Sequence, residues 1–463
     1  MSAPRPLRMA VPDGHAAAPT DDAGGAGAAG SPRHWSPTRA LGRAVLVVGV
    51  LLFVAVLLRR TDLVVLAAPF ALGAALGVWR RPGSLPALRI DVTAEVLSEG
   101  RPVHAVIGVG NPDSIGYDLV VVRTAASPWL RLPYADRPYI TTVGGGETAD
   151  VELTGHALRW GRLALGPARA WAVAADGLLV SDAAVAGHRE LKVFPLTEGF
   201  DAVEAMPRAA GLVGGHRSRR PGEGGELAGV RMFAPGDRLR RIDWRVSLRT
   251  QELHVAATLS DRDAEVVLLL DVLFEAGHSG GINGARSVLD TTVRAAAAVA
   301  EHYLHAGDRV ALLEYGFRAR RLRAAGGRRQ YLTVLEWLLD VSARHGAYEP
   351  SPAAFGLHTV SANALVVVLT PLLDTRAAAM VARFARAGRF VIAVDTLPPD
   401  LPMPAQEAFS TLAGRLWRLD RDNTIGQLRE HGVPVVAWAG AGSLDEVLRG
   451  VSRMAGGARA VPR

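Results

Sequence analysis

The sequence predicts an α/β plus β fold behind two N-terminal transmembrane helices: a helical hairpin, a β-sandwich-like domain and a parallel α/β sheet. Three observations predict it. Two uncharged apolar runs stand near the start, short alternating apolar stretches begin at residue 88, and apolar strands alternate with helices after residue 264. Hydrophobic residues make up 49% of the 463, more than a plain soluble chain needs.

Residues 1–40 are rich in Ala, Gly, Pro, Ser and Asp and lack apolar periodicity, so they are expected to be disordered. Residues 41–80 hold the hairpin. Ala44 to Leu58 and Leu63 to Trp79 carry no charge, and with flanking residues each reaches the roughly 20 residues that span hydrocarbon. The linker Arg59-Arg60-Thr61-Asp62 permits only a tight reversal. Arg33, Arg39 and Arg43 precede the pair, and Arg80, Arg81 and Arg89 follow it. This bias predicts a two-pass protein of the inner cell membrane with its main body cytoplasmic, although Arg59 and Arg60 oppose that orientation.

Between residues 88 and 195, Leu88–Leu97, Val103–Val109, Tyr117–Thr124, Ala149–Leu153 and Arg162–Val173 read as short strands separated by turn residues. They predict the β-sandwich-like domain. Residues 200–263 form a linker, Gly/Arg/Pro-rich and loop-like over 200–225. Residues 264–457 are the α/β domain. Its expected strands are Val266–Leu270, Arg309–Glu314, Ala364–Leu369, Phe390–Val394 and Val433–Trp438. Its expected helices are Arg286–Leu304, Gln330–Val341, Thr375–Arg386 and Ser443–Met454. Continuous apolar strands mean a parallel sheet covered on both faces, with ligands at the strands' carboxyl ends.

Composition excludes several chemistries. With no cysteine there is no disulfide, thiolate metal site or cysteine nucleophile. Lys192 is the only lysine, so no phosphate-binding loop ends in Gly-Lys-Ser/Thr. The net charge of +7 is spread over a long chain without a recognition motif, which argues against nucleic acid as a partner. The thirteen histidines are scattered, giving zinc no support. Gly277–Gly284 lacks the lysine and spacing of a phosphate loop and reads as a flexible insert. Its adjacent His278 and Ser279 cannot form a nucleophile–base pair with a third orienting group.

The most informative stretch joins the two domains: Gly225-Glu226, Arg231, Pro235-Gly236-Asp237, Arg240, Ile242-Asp243-Trp244 and Ser247-Leu248-Arg249. This series resembles the signature of the bacterial domain-of-unknown-function 58 (DUF58) family, with Leu227 replacing an aromatic and Leu248 a small residue. The order of membrane helices, β-domain, motif and α/β domain fits the same family over nearly the whole chain after residue 40. Physically, Pro235-Gly236-Asp237 is a turn. Asp237 and Asp243 lie near Arg231, Arg240 and Arg249, whose planar guanidinium groups suit carboxylate pairing. Such a set is either an internal network or a docking surface for a partner.

The resemblance implies a von Willebrand factor A-like, doubly wound parallel sheet and a MoxR-type AAA+ ATPase as protein partner. It supplies no catalytic residue. Such sheets often carry a metal-ion-dependent adhesion site built on Asp-x-Ser-x-Ser, whose oxygens hold Mg²⁺. Here the positions read Asp271-Val272-Leu273-Phe274-Glu275, and Thr370-Pro371 stands where Thr-Asp is expected. The site is therefore expected to be degenerate, with no metal and no cofactor, in a non-enzymatic scaffold or adaptor. The alternative is a metal-dependent hydrolase using Asp271, Glu275 and Asp374.

Overall fold

The computed structural model describes residues 35–133, 137–197, 221–234, 239, 242–259, 265–343, 350, 355, 359–361, 364–399, 401 and 410–438. It is a mixed α/β structure. Strand β1 (Trp35–Pro37) leads into helix α1 (Arg39–Leu58), and α2 (Asp62–Trp79) follows a reversal at Arg59, whose φ is 53°. Residues 35–40 therefore depart from the disorder expected of 1–40. Trp35 is buried beside Tyr117, ring centroids 5.6 Å apart, and Ser36 pairs with Val180, so burial of one indole holds the segment down. Both helices are long and apolar enough to cross a membrane, and only 11% of each apolar window is buried.

The β-domain contains β2 (Ala87–Val92), β3 (Val96–Ser98), β4 (Pro102–Gly110), β5 (Tyr117–Ala126), β6 (Leu130–Arg131), β7 (Tyr139–Val143), β8 (Thr148–Ala157), β9 (Gly161–Ala174), β10 (Leu179–Ser181), β11 (Ala184–Ala186) and β12 (Arg189–Phe194). One sheet runs β1-β10-β9-β12-β3, with β5 and β11 also on β9 and β7 on β5. The other runs β2-β4-β8-β6. Alternate residues of β4 and β8 point inward, and Ile107, Leu153, Leu165 and Leu191 of the two sheets share one buried core. The run Leu88–Leu97, expected as one strand, divides into β2 and β3, which join different sheets.

Next, β13 (Pro221–Met232) pairs antiparallel with β14 (His254–Leu259), and the short helix α3 (Trp244–Thr250) lies in their connection. Residues 221–225, expected in a loop, begin β13, because their backbone pairs with Thr258 and Leu259.

The α/β domain follows as β15 (Glu265–Asp271), α4 (Val288–His305), β16 (Arg309–Tyr315), β17 (Arg321–Gly326), α5 (Gly327–Leu338), β18 (Leu365–Thr370), α6 (Thr375–Arg386), β19 (Phe390–Asp395), α7 (Ser410–Glu430) and β20 (Val435–Ala437). The sheet order is β17-β16-β15-β18-β19-β20, parallel throughout except for β17. Its central strands are apolar at every interior position because both faces are buried. Val266, Leu268 and Leu270 pack with α4 and α5, while Val267 and Leu269 share a core with Met380 and Phe384 of α6 and Leu428 of α7. Helix α4 starts with a capping box between Ser287 and Asp290, and its buried Ala295–Ala298 let it lie close to the sheet. Strand β17 and helix α7 were not anticipated. The helix expected over Ser443–Met454 lies outside the described residues.

Candidate functional site

The parallel strands end in polar residues side by side. Asp271 closes β15 opposite Tyr315 of β16, and Thr370 closes β18 opposite Asp395 of β19. Asp271 is 2% exposed, and its oxygens are engaged by its own chain. The Thr370 hydroxyl donates to Oδ2 at 2.7 Å and the Leu273 N–H donates to Oδ1 at 3.1 Å. Burial pushes its carboxyl up to about 6, with the charge of Asp374 adding and Arg376 opposing. Leu273 is buried in the core beneath α6 and α7, so the position of a hydroxyl ligand holds a packing residue. Pro371 offers its carbonyl to Arg421 Nε at 3.1 Å.

Asp374 acts on Asp271 through its charge but has partners of its own. It caps α6, accepting from the Arg376 N–H at 2.8 Å, and the Arg376 guanidinium holds its carboxyl below the usual range. Glu275 lies on the other side, half-buried, accepting from the Leu289 N–H at 3.4 Å at the start of α4. Burial raises its carboxyl too. Among the described residues no cluster of three or more His, Asp or Glu side chains could hold a metal ion. The three carboxylates that a hydrolase would use are thus divided among three separate tasks.

What meets the loop after β15 is the β-domain. The Ile282 N–H donates to the Leu158 carbonyl at 2.7 Å, so the stretch Gly277–Gly284, expected as a flexible insert, is tied to the neighbouring domain. Arg159 Nε and Trp160 Nε1 both donate to Oδ1 of the fully buried Asp290, at 2.7 and 3.2 Å. Glu99, also buried, accepts two bonds from Arg294 of α4 at 3.0 and 2.9 Å and one from the Trp160 N–H at 3.0 Å. Arg162 adds a more exposed set to Glu190, Glu336 and Asp340, and Lys192 reaches Glu336 at 2.7 Å. Sequence reasoning missed this interface. The only local signal was an arginine beside a tryptophan, Arg159-Trp160, between two strands.

In the signature motif, Pro235, Gly236, Asp237 and Arg240 lie outside the described residues. Asp243 lies among the described residues. It caps α3, its Oδ1 accepting from the N–H groups of Arg245 and Val246, both at 3.1 Å, because a helix start leaves such donors orphaned. Ser247 Oγ donates to the Asp243 carbonyl at 2.7 Å and accepts from the His254 N–H at 2.9 Å, fastening α3 to β14. Arg231 Nη1 donates to the Met232 carbonyl at 3.0 Å, and Arg249 lies in the last turn of α3. Trp244 is 62% exposed and Leu248, one turn later, 79%.

These features define a chain of three parts: an apolar helix pair, a two-sheet β-domain, and an α/β domain preceded by a paired-strand arm. Residues 229–406 match the family model described as "Protein of unknown function DUF58". The uncharacterized proteins Rv1480 of Mycobacterium tuberculosis and Mb1516 of Mycobacterium bovis are each 34% identical to this chain over 125 residues. The matches cover 27% of this chain and 38% of each relative's length. Among solved structures, a CARDB domain of Pyrococcus furiosus is 13% identical, covering 24% of this chain and 92% of its own, with a TM-score of 0.17. A cohesin module of Clostridium perfringens is 13% identical, covering 24% and 100%, with a TM-score of 0.18. Likenesses at that level carry no argument here.

Proposed function

We propose that this chain is a membrane-anchored, non-enzymatic adaptor that docks a protein partner through the arm formed by β13, α3 and β14. The helix pair sits in the inner cell membrane with the main body in the cytoplasm, and the partner is a MoxR-type AAA+ ATPase. One observation carries the docking surface. Trp244 and Leu248 stand exposed one helical turn apart, flanked by Arg245 and Arg249, on a helix whose cap and hydroxyl are already satisfied within the chain. Tryptophan and arginine dominate the energetics of protein interfaces, and neither apolar side chain here serves a core. The membrane reading draws on the two apolar helices, the flanking arginines, and the glycines and Pro69 within α2, residues more frequent in spanning helices than in soluble ones. The identity of the partner class rests on the family resemblance.

The α/β domain is read as von Willebrand A-like and doubly wound, with a degenerate adhesion site. In support, its chain order turns back between β15 and β18, where Asp271 meets Thr370. A cation there would have to displace the Thr370 hydroxyl from Asp271 and would find Leu273 and Pro371 without side-chain oxygens.

The test is affinity purification of the tagged full-length protein from detergent-extracted native membranes, with and without EDTA, followed by mass spectrometry. An AAA+ ATPase is expected in both eluates, and roughly ten-fold less of it with the Trp244→Ala/Leu248→Ala variant. Absence of an ATPase, or its loss on chelation, sinks this reading.

A further inference from the structure

The β-domain abuts the open end of the helix pair. The Thr38 N–H and hydroxyl, just before α1, donate to the carbonyls of Leu178 and Gly177 at 2.9 and 2.8 Å. Near the end of α2, Gly77 lies so close under Leu178 that a Cβ there would stand 2.7 Å from its Cδ1. One loop of the β-domain is thus fastened to both helices at the same level. Trp79, 81% exposed, and Arg80 mark that level as the boundary between apolar and polar surroundings.

A cavity of about 550 Å³ opens there between the last turns of α2 and three loops of the β-domain, within the roughly 300–1,000 Å³ typical of ligand pockets. Its helix side carries Arg80 and the glycines Gly73 and Gly77, and its loop side carries Tyr117, Asp118 and Asp176. The charges are opposite yet unpaired with each other: the side chains of Arg80 and Asp176 have no hydrogen bond or ion pair among the described residues. Asp118 uses one oxygen to accept from the Gly177 N–H at 3.1 Å. A guanidinium on one wall and two carboxylates on the other present the complement of a zwitterion.

We propose that this cavity binds the zwitterionic headgroup of a phospholipid whose only other charge beside the phosphate is a primary ammonium, that is, phosphatidylethanolamine. Arg80 takes the phosphate, because a guanidinium donates in a planar fork that matches phosphate oxygens. Asp118 and Asp176 take the ammonium, whose N–H groups they accept. Phosphatidylcholine carries its positive charge without an N–H to donate, and phosphatidylglycerol brings no cation to the two carboxylates. The acyl chains run along the exposed flank of α2, where Leu72 and Leu76 face outward. The inference rests on the membrane reading above, since the cavity stands at headgroup depth only if α1 and α2 span.

Native mass spectrometry of the full-length protein in detergent, titrated in turn with dioleoyl phosphatidylethanolamine, phosphatidylcholine and phosphatidylglycerol, tests it. Retention of the ethanolamine lipid is expected to exceed that of the choline lipid roughly ten-fold. Arg80→Ala lowers it, and Asp118→Asn with Asp176→Asn erases the preference; all three positions are exposed, so folding is preserved. Soluble phosphoethanolamine is expected not to compete. Equal retention of the ethanolamine and choline lipids by the wild type, a preference unchanged in the variants, or full competition by the soluble headgroup overturns the site. A chain that stays monodisperse without detergent contradicts the membrane reading itself, a result distinguishable from loss of lipid preference in detergent.

Discussion

A carboxylate held only by a hydroxyl and one backbone N–H in a buried setting is under-compensated, and Asp271 is in that state. Its carboxyl is raised to about 6 in the folded chain, whereas an unfolded aspartate titrates near 3.9. Between those values the native state binds more protons than the unfolded one, so this residue's contribution to stability falls as pH rises through the window. The penalty is fully present above pH ~6 and absent below pH ~4. Asp271→Asn keeps an acceptor for the Leu273 N–H and removes the charge. It is expected to raise the unfolding free energy by about 1–3 kcal/mol near neutral pH and to give no gain near pH 4. Denaturant melts of both proteins at the two pH values measure this, and equal effects at both would refute an uncompensated charge. At Asp243 the expected direction is the opposite: Asp243→Ala removes the cap of α3 and costs about 1 kcal/mol, read as faster proteolysis within the arm.

Helix α4 is fastened at its N-terminus from another domain, since Asp290 serves both its own capping box and the Arg159 and Trp160 donors. Asp290→Ala takes the carboxylate from the partly buried Arg159 guanidinium as well as removing the cap, and is expected to cost about 3 kcal/mol, more than a cap alone. A thermal melt that shifts no further than for a surface cap variant counts against that role. This element also shows what the sequence could and could not convey. Strands β15, β18 and β19 were legible because burial on both faces makes their interior positions apolar, and α6 was legible from its apolar spacing. Helix α7 was not, because Gly414, Gly426 and Asn423 read as breaks and Leu412, Leu416 and Leu419 face solvent rather than core. The short strands β1 and β3 take pairing partners far along the chain, β10 and β12, which no local pattern conveys. The same holds for the site. Asp271 and Thr370 could be picked out as strand-end residues. By contrast, Glu99 finds Arg294 across 195 positions, a relation no spacing rule contains.

At the scale of the molecule, the β-domain and the α/β domain share Trp160, whose ring belongs to the core of the latter although its backbone belongs to the former. The full-length chain in detergent is therefore expected to unfold both domains in one calorimetric transition. Trp160→Ala, costing about 3–5 kcal/mol at the contact, is expected to split it in two. Two transitions in the wild type would show that the domains are independent. The Glu99–Arg294 and Asp290–Arg159 pairs have a mechanical meaning as well. With the β-domain hydrogen-bonded to Thr38 and packed on Gly77, tension on the α/β domain travels through buried ion pairs into the first residues of one apolar helix and the last of the other. The molecule is built as a strut rather than a tether: each joint between the α/β domain and the helix pair is hydrogen-bonded or closely packed.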